Sequence, residues 1–195
     1  MRTNTAIHDE HGQLLLQIAR TAISNALGRV VALPEPNGQA ADVLQAPGAS
    51  FVTLNQHGQL RGCIGSLQAH RPLIQDIQAN AVAAALHDPR FAPLTLAELD
   101  ITTVEVSVLS AMQPLPFTFE ADALAQLRPG VDGVVFEFGR YRSTFLPQVW
   151  EQLPKPRQFM AHLKQKAGLA PDFWAPGVRL QRYTVAKFKE VEGTS

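Results

Sequence analysis

An α+β domain, built on a mainly antiparallel sheet flanked by helices, is the fold class that three features of this sequence predict. Helical and strand periodicities alternate in mixed order along the chain. Two pairs of strand-like runs enclose short glycine-bearing turns, as hairpins do. Neither a regular βαβ alternation nor a glycine-rich phosphate loop is visible. With 195 residues, 46% of them hydrophobic and 17% charged, the chain has the composition of a globular domain with a sizeable core, not that of a disordered one.

The elements follow in order. Leu14, Leu15, Ile18, Ala22, Ile23, Ala26 and Leu27 recur at helical spacing and Gly28 follows as a stop, so residues from about 9 to 27 read as an amphipathic helix. Residues 33–49 hold Pro34, Pro36, Gly38, Pro47 and Gly48 with little periodicity and read as a long loop. Phe51 to Leu54 and Leu60 to Ile64 flank Asn55-Gln56-His57-Gly58 as the arms of a hairpin, Gly58 being free to take positive φ. Pro72 precedes an alanine-rich apolar face, Leu73 to Ala85, which ends before Asp88-Pro89; its small residues predict close packing on a sheet, and helices are expected on both sheet faces.

Thr95-Leu96-Ala97-Glu98 has the form of a capping box. From Ile101 to Leu109, Val104, Val106 and Val108 alternate with Thr103, Glu105 and Ser107, the pattern of a half-buried strand with Glu105 on its polar face. Residues 121–127 predict a short helix, and Gly130 to Phe138 with Tyr141 to Phe145 a second hairpin around Gly139. Pro147 to Leu153 and Arg157 to Lys166 read as helical, the latter closed by Gly168, and Val178 to Phe188 as one last strand. Trp150, Trp174, Phe159 and Tyr183 are expected in packing roles.

Charge and composition narrow the function classes. The start of the chain lacks a basic patch followed by an apolar run and cleavage site, and no apolar stretch approaches the length of a membrane span, so a cytoplasmic protein is expected. A lone cysteine, Cys63, makes no internal disulfide and excludes a zinc site of several thiolates. Histidines stand at 8, 11, 57, 70, 87 and 162; only His8 and His11 are closely spaced, and no two-histidine-one-carboxylate pattern is visible, so neither a metal nor another cofactor is expected. Residues 1–138 carry 7 Lys and Arg against 13 Asp and Glu, a balance of −6, and residues 139–195 carry 10 against 4, a balance of +6. The basic C-terminal third admits nucleic-acid binding as an alternative function, but no aromatic ladder or nucleic-acid motif accompanies it; Lys155, Arg157, Lys164, Arg179, Arg182, Lys187 and Lys189 read most simply as surface charge.

The most informative stretch is Leu60-Arg61-Gly62-Cys63-Ile64-Gly65. In a strand, Arg61, Cys63 and Gly65 share one face and Leu60, Gly62 and Ile64 the other, so guanidinium and thiol point the same way. A cation near a cysteine favours the nucleophilic, metal-binding thiolate, and Gly62 and Gly65 leave room for a ligand or a neighbouring backbone. The alternative is a packed cysteine, a residue type that is often buried as a small hydrophobe.

Phe51-Val52-Thr53-Leu54, this hexapeptide, and Asp88-Pro89-Arg90-Phe91 with Pro93 resemble blocks of the AMMECR domain family. Glu105-Val106-Ser107-Val108-Leu109, Gly130 to Gly133, Leu146-Pro147-Gln148-Val149-Trp150, and Lys166-Ala167-Gly168-Leu169 with Trp174 are similar to its later blocks, in the same order, so the resemblance covers about residues 10–190. It implies a single domain over 9–190 with two unequal lobes and a cleft between them, 1–8 and 191–195 being flexible ends. The family's reaction is unassigned. Bacterial members resemble the A component of a three-protein set, whose other members, a Memo-like protein and a radical S-adenosylmethionine protein, are the expected partners. Many bacterial relatives carry a second cysteine where this chain has Lys164, which argues against a dithiol mechanism here.

The polar residues inside the matching blocks define the candidate site. Cys63 would be nucleophile or thiolate ligand, with Glu105 as acid or base and His87 as a further candidate base; Arg61, Gly62, Gly65, Asp88, Arg90 and Ser107 would bind substrate, the two arginines through forked donors to an anionic group. In the structural alternative, Arg61 pairs with Glu105 across strands and Asp88-Arg90 caps a helix end. The expected function is a cysteine-dependent enzyme or enzyme component acting on a small anionic or peptide-like substrate in the cleft; the alternative is a non-catalytic adaptor for the two partners.

Overall fold

A computed structural model describes residues 9–191. His8 and the expected flexible ends 1–8 and 191–195, apart from Val191, lie outside the described residues. The chain divides into two compact units, Met1–Leu109 with Ala186–Ser195, and Ser110–Val185. Each carries its own core, and together they are α+β with antiparallel sheets flanked by helices.

In the first unit, α1 (Asp9–Ala26) fulfils the helical periodicity read from the sequence. The 33–49 stretch is not all loop: α2 (Gly38–Gln45) lies within it and β1 (Pro47–Gln56) begins before its end. The signal for α2 is weak because it is short, flanked by proline on both sides, and opened by Asn37, whose side chain makes no capping bond. β2 (Gln59–Gly65) returns antiparallel to β1 through a turn in which both His57 (φ 49°) and Gly58 (φ 75°) are left-handed. That paired positive φ gives the tight turn whose twist matches the strands. β3 (Arg71–Pro72), α3 (Leu73–Leu86), α4 (Leu96–Leu99) and β4 (Thr102–Leu109) follow, with the Thr95–Glu98 capping box in place.

Strand order in this sheet is β2-β1-β4-β9, where β9 is Val185–Lys189, and β3 pairs with one end of β1. Val52, Leu54, Val104 and Val106 form the buried face, and Leu15, Ile18, Ile23, Ile77, Ala81 and Ala84 from α1 and α3 cover it. Both helices therefore pack on one face, a departure from the expected coverage of both. The other face presents Phe51, Thr53, Arg61, Cys63 and Glu105, which have intermediate exposure. Buried Asp76 on α3 ties the sheet together: it accepts from Ser50 N–H and Oγ (both 2.8 Å), Asn80 Nδ2 (2.9 Å), Ser66 Oγ (2.9 Å) and Arg71 Nε (2.8 Å). A carboxylate so deep is tolerable because hydrogen bonds and a cation surround it.

The second unit holds a four-stranded sheet of order β5-β8-β6-β7 in place of a continuation of the first sheet. Its strands are β5 (Gln113–Pro114), β6 (Gly133–Phe138), β7 (Tyr141–Phe145) and β8 (Arg179–Tyr183), and its helices are α5 (Glu120–Gln126), a 3₁₀ turn (Pro147–Glu151) and α6 (Pro156–Lys166). The predicted last strand thus divides at Thr184, β8 entering the second sheet and β9 the first. Phe136, Phe159, Met160, Leu163 and Leu180 centre the core, with Trp150 stacked on Phe159 at 3.8 Å and its indole N–H donating to Asp132 O at 2.7 Å. Lys164, read as surface charge, is instead 2% exposed. It stands one helical turn beyond Met160 on the apolar stripe, and its Nζ reaches Glu120 Oε1 (2.8 Å) and the Phe173 carbonyl (3.0 Å).

Candidate functional site

Cys63 lies on β2, the edge strand of the first sheet, and the register fixes its neighbours. Thr53 on β1 faces Cys63 on one side and Glu105 on β4 on the other. The Thr53 hydroxyl donates to Cys63 Sγ at 3.3 Å. Glu105 is two strands from Cys63, about 10 Å between backbones. It pairs with Lys187 of β9 at 3.4 Å. Ser107 is one row further along, opposite Phe51, which in turn faces Gly65. Thr53, absent from the residues assigned roles from sequence, is thus the side chain in contact with the thiol; its position in the block matching the family was the available signal.

The segment between α3 and β4 covers the outer end of β2. Asp88, 4% exposed, accepts from Cys63 N–H (2.9 Å) and from Arg90 N–H (3.1 Å), Nε (3.0 Å) and Nη2 (2.7 Å). Arg90 Nη2 also donates to the Cys63 carbonyl at 3.2 Å. The Arg90 guanidinium, before the two backbone amides, holds the Asp88 carboxyl well below the usual carboxylate range against the opposing effect of burial. Arg90 is in turn held above the ordinary guanidinium value, first by the Asp88 hydrogen bond and, with smaller effect, by the negative charge of Asp88, against burial. Asp88 and Arg90 do pair, but they clamp the backbone of β2 where a helix cap was the structural alternative.

Arg61 does not pair with Glu105. Its Nε and Nη2 donate to Glu98 Oε1 at 3.2 and 3.1 Å, because the capping box of α4 brings Glu98 to the strand edge. The Thr95 amide is the first cause, ahead of the Thr95 hydroxyl and Arg61, of a Glu98 carboxyl below its ordinary range against burial. Phe91 sits beside both guanidinium carbons, Arg61 at 5.9 Å and Arg90 at 5.5 Å from its ring centroid, within reach of cation–π attraction. His87 ends α3, is exposed, and makes no hydrogen bond to Cys63 among the described residues.

The two glycines have structural occupants. A Cβ on Gly62 would strike the Ala84 carbonyl oxygen of α3, and one on Gly65 would enter the Phe51 ring. Of the two uses expected for that room, Gly62 serves the close approach of a neighbouring backbone, and at Gly65 a side chain takes the space. The structure therefore brings Arg61, Cys63, Asp88 and Arg90 together with Thr53, Phe91 and Glu98, and among the described residues Glu105, Ser107 and His87 make no hydrogen bond to the thiol. Among the described residues no three His, Cys, Asp or Glu side chains cluster as a metal site would require, and no helix is long and apolar enough to cross a membrane.

An α+β protein of two units, with a single thiol on an edge strand clamped by an aspartate–arginine pair, is the class that fold and site define. The sequence model of the family described as AMMECR1 matches residues 16–188, and the chain belongs to that family. A protein of Methanocaldococcus jannaschii is 36% identical over 193 residues, covering 94% of this chain and 92% of its own length. One from Methanothermobacter thermautotrophicus is 39% identical over 187 residues, covering 93% and 95%. The crystal structure of an uncharacterised protein from Pyrococcus horikoshii is similar with a TM-score of 0.76 at 34% identity, covering 94% of this chain and 93% of that one.

Proposed function

We propose that this protein is a cysteine-dependent enzyme or enzyme component of the cytoplasm that uses Cys63 toward a small anionic or peptide-like substrate, in a pathway with Memo-like and radical S-adenosylmethionine partners. The observation that carries this reading is the setting of the thiol. Its sulfur accepts the Thr53 hydroxyl while Arg90, anchored by buried Asp88, lies against the Cys63 carbonyl. A partly exposed sulfur that holds a hydroxyl donor, on a strand edge pinned by a guanidinium, is the open and polar setting a nucleophilic cysteine needs. Arg90, whose side chain is 53% exposed, and Arg61 have donors to offer an anionic substrate group. Glu105, one strand beyond Thr53, would exchange protons with the substrate and not with the sulfur.

The test is alkylation of Cys63 by iodoacetamide at neutral pH, followed by intact mass, with the unfolded chain as reference. The single cysteine makes the mass shift unambiguous. Faster reaction in the folded protein supports an activated thiolate. A thiol inert until the chain unfolds overturns this reading and favours a second one, a non-catalytic adaptor for the same partners. The arrangement of Phe91 between Arg61 and Arg90 favours that alternative, since a guanidinium–aromatic cluster is a common anchor of protein interfaces. Under it, Cys63→Ser leaves partner binding intact and Arg90→Glu abolishes it in a pull-down.

A further inference from the structure

The second unit carries a groove of about 810 Å³ that the thiol site does not use. It is lined by the segment 114–119, from the end of β5 onward, and by the segment 174–181, which runs into β8. The volume falls in the range of roughly 300–1,000 Å³ typical of small-molecule sites. Pro116, Phe117, Trp174 and Val178 make the groove apolar, and Phe117 packs on Trp174 with ring centroids 5.3 Å apart. Phe119, 58% exposed, extends the apolar surface outward. Lys164 Nζ, buried and outside the lining, lies 5.8 Å from the Trp174 ring centroid and steadies the indole from within.

Two charged residues line the groove, Glu137 and Arg179. Glu137 is already taken: Arg142 of β7 donates its Nε to Oε1 at 2.8 Å. Arg179 reaches Oε2 only at 3.5 Å, the outer limit of a hydrogen bond, and its side chain is 73% exposed. Two guanidiniums thus share one carboxylate, which leaves a net positive charge and a loosely held cation beside apolar walls. An apolar trough with a spare guanidinium complements a molecule with an apolar body and an anionic head.

We propose that this groove binds an amphipathic carboxylate of the fatty-acid or aryl-alkanoic type, its chain along Phe117 and Trp174 and its head at Arg179. The site is independent of Cys63. The chain's two tryptophans allow a direct test by ¹H–¹⁵N correlation spectroscopy, with Trp174→Phe assigning the indole signals. On titration with sodium decanoate below its micelle concentration, the Trp174 indole signal shifts saturably and that of buried Trp150 stays in place. Arg179→Glu, on an exposed side chain that leaves the core intact, weakens binding by about fivefold or more. Decyltrimethylammonium, with the same chain and the opposite charge, does not bind. No saturable shift, equal movement of both indoles, equal affinity for the cationic analogue, or an unaltered Arg179→Glu variant would each overturn the proposal.

Discussion

The Asp88 carboxylate accepts the backbone N–H of Cys63 at 2.9 Å and holds the Arg90 guanidinium through Nη2 at 2.7 Å. One buried acid therefore fixes both the strand that bears the thiol and the cation beside it. Either partner lost from Asp88 would leave a buried charge or amide unsatisfied.

Acid sensitivity follows from this. Asp88 takes up its proton in the unfolded chain near pH ~3.9 and in the folded one only at lower pH. Its stabilising effect is complete above the unfolded value and is lost as pH falls below it toward the folded value. Thermal midpoints followed from pH 7 to pH 3 should fall more steeply for the natural protein than for Asp88→Asn. Parallel curves would show that Asp88 does not titrate with unfolding.

Thr53→Val keeps shape and removes the hydroxyl that reaches Cys63 Sγ. Alkylation of Cys63 at neutral pH should slow by about three- to tenfold, the worth of one hydrogen bond to the sulfur. Arg90→Ala should slow it as well. Unchanged rates in both variants would leave the thiol indifferent to its neighbours.

Gly62→Ala should destabilise the first unit by about 1–3 kcal/mol, because the added methyl meets the Ala84 backbone oxygen, which cannot swing aside as a side chain does. Urea unfolding measures this as a lower midpoint at unchanged slope. The same substitution at Gly58 should also destabilise, for a different reason: φ of 75° is costly for alanine although the space is open.

Lys164 and Glu120 should respond unequally. Glu120→Ala leaves a buried ammonium without its anion, at a cost of about 3–5 kcal/mol. Lys164→Met replaces the ammonium by an apolar group of similar length and should cost much less. Equal losses in urea unfolding would contradict the buried-charge account.

Periodicity made α1, α3, β4 and the hairpins readable, because their apolar faces and turn residues are local. The parity of β2 likewise placed Arg61 and Cys63 on one face. The partner of Arg61 was not readable: Glu98 is 37 positions away, and only the packing of α4 on the strand edge brings it there. The division at Thr184 was hidden because no glycine or proline interrupts a run of strand-forming residues. For Lys164 the signal existed in its spacing from Met160, but a lysine within an amphipathic pattern looks like a solvated residue until tertiary packing is known.

The pairing of Arg20 on α1 with Glu190, through two hydrogen bonds of 2.6 Å, makes the first unit depend on two distant parts of the chain. Residues 110–185 are contiguous, so the second unit is complete within one stretch of chain. The first unit is not: without Glu190, Arg20 lacks its anion and Val104 N–H its 2.8 Å acceptor. A chain cut after residue 184 would keep every strand of the second sheet but deprive the first unit of β9 and Glu190, and protease protection should persist in the second unit and fall in the first.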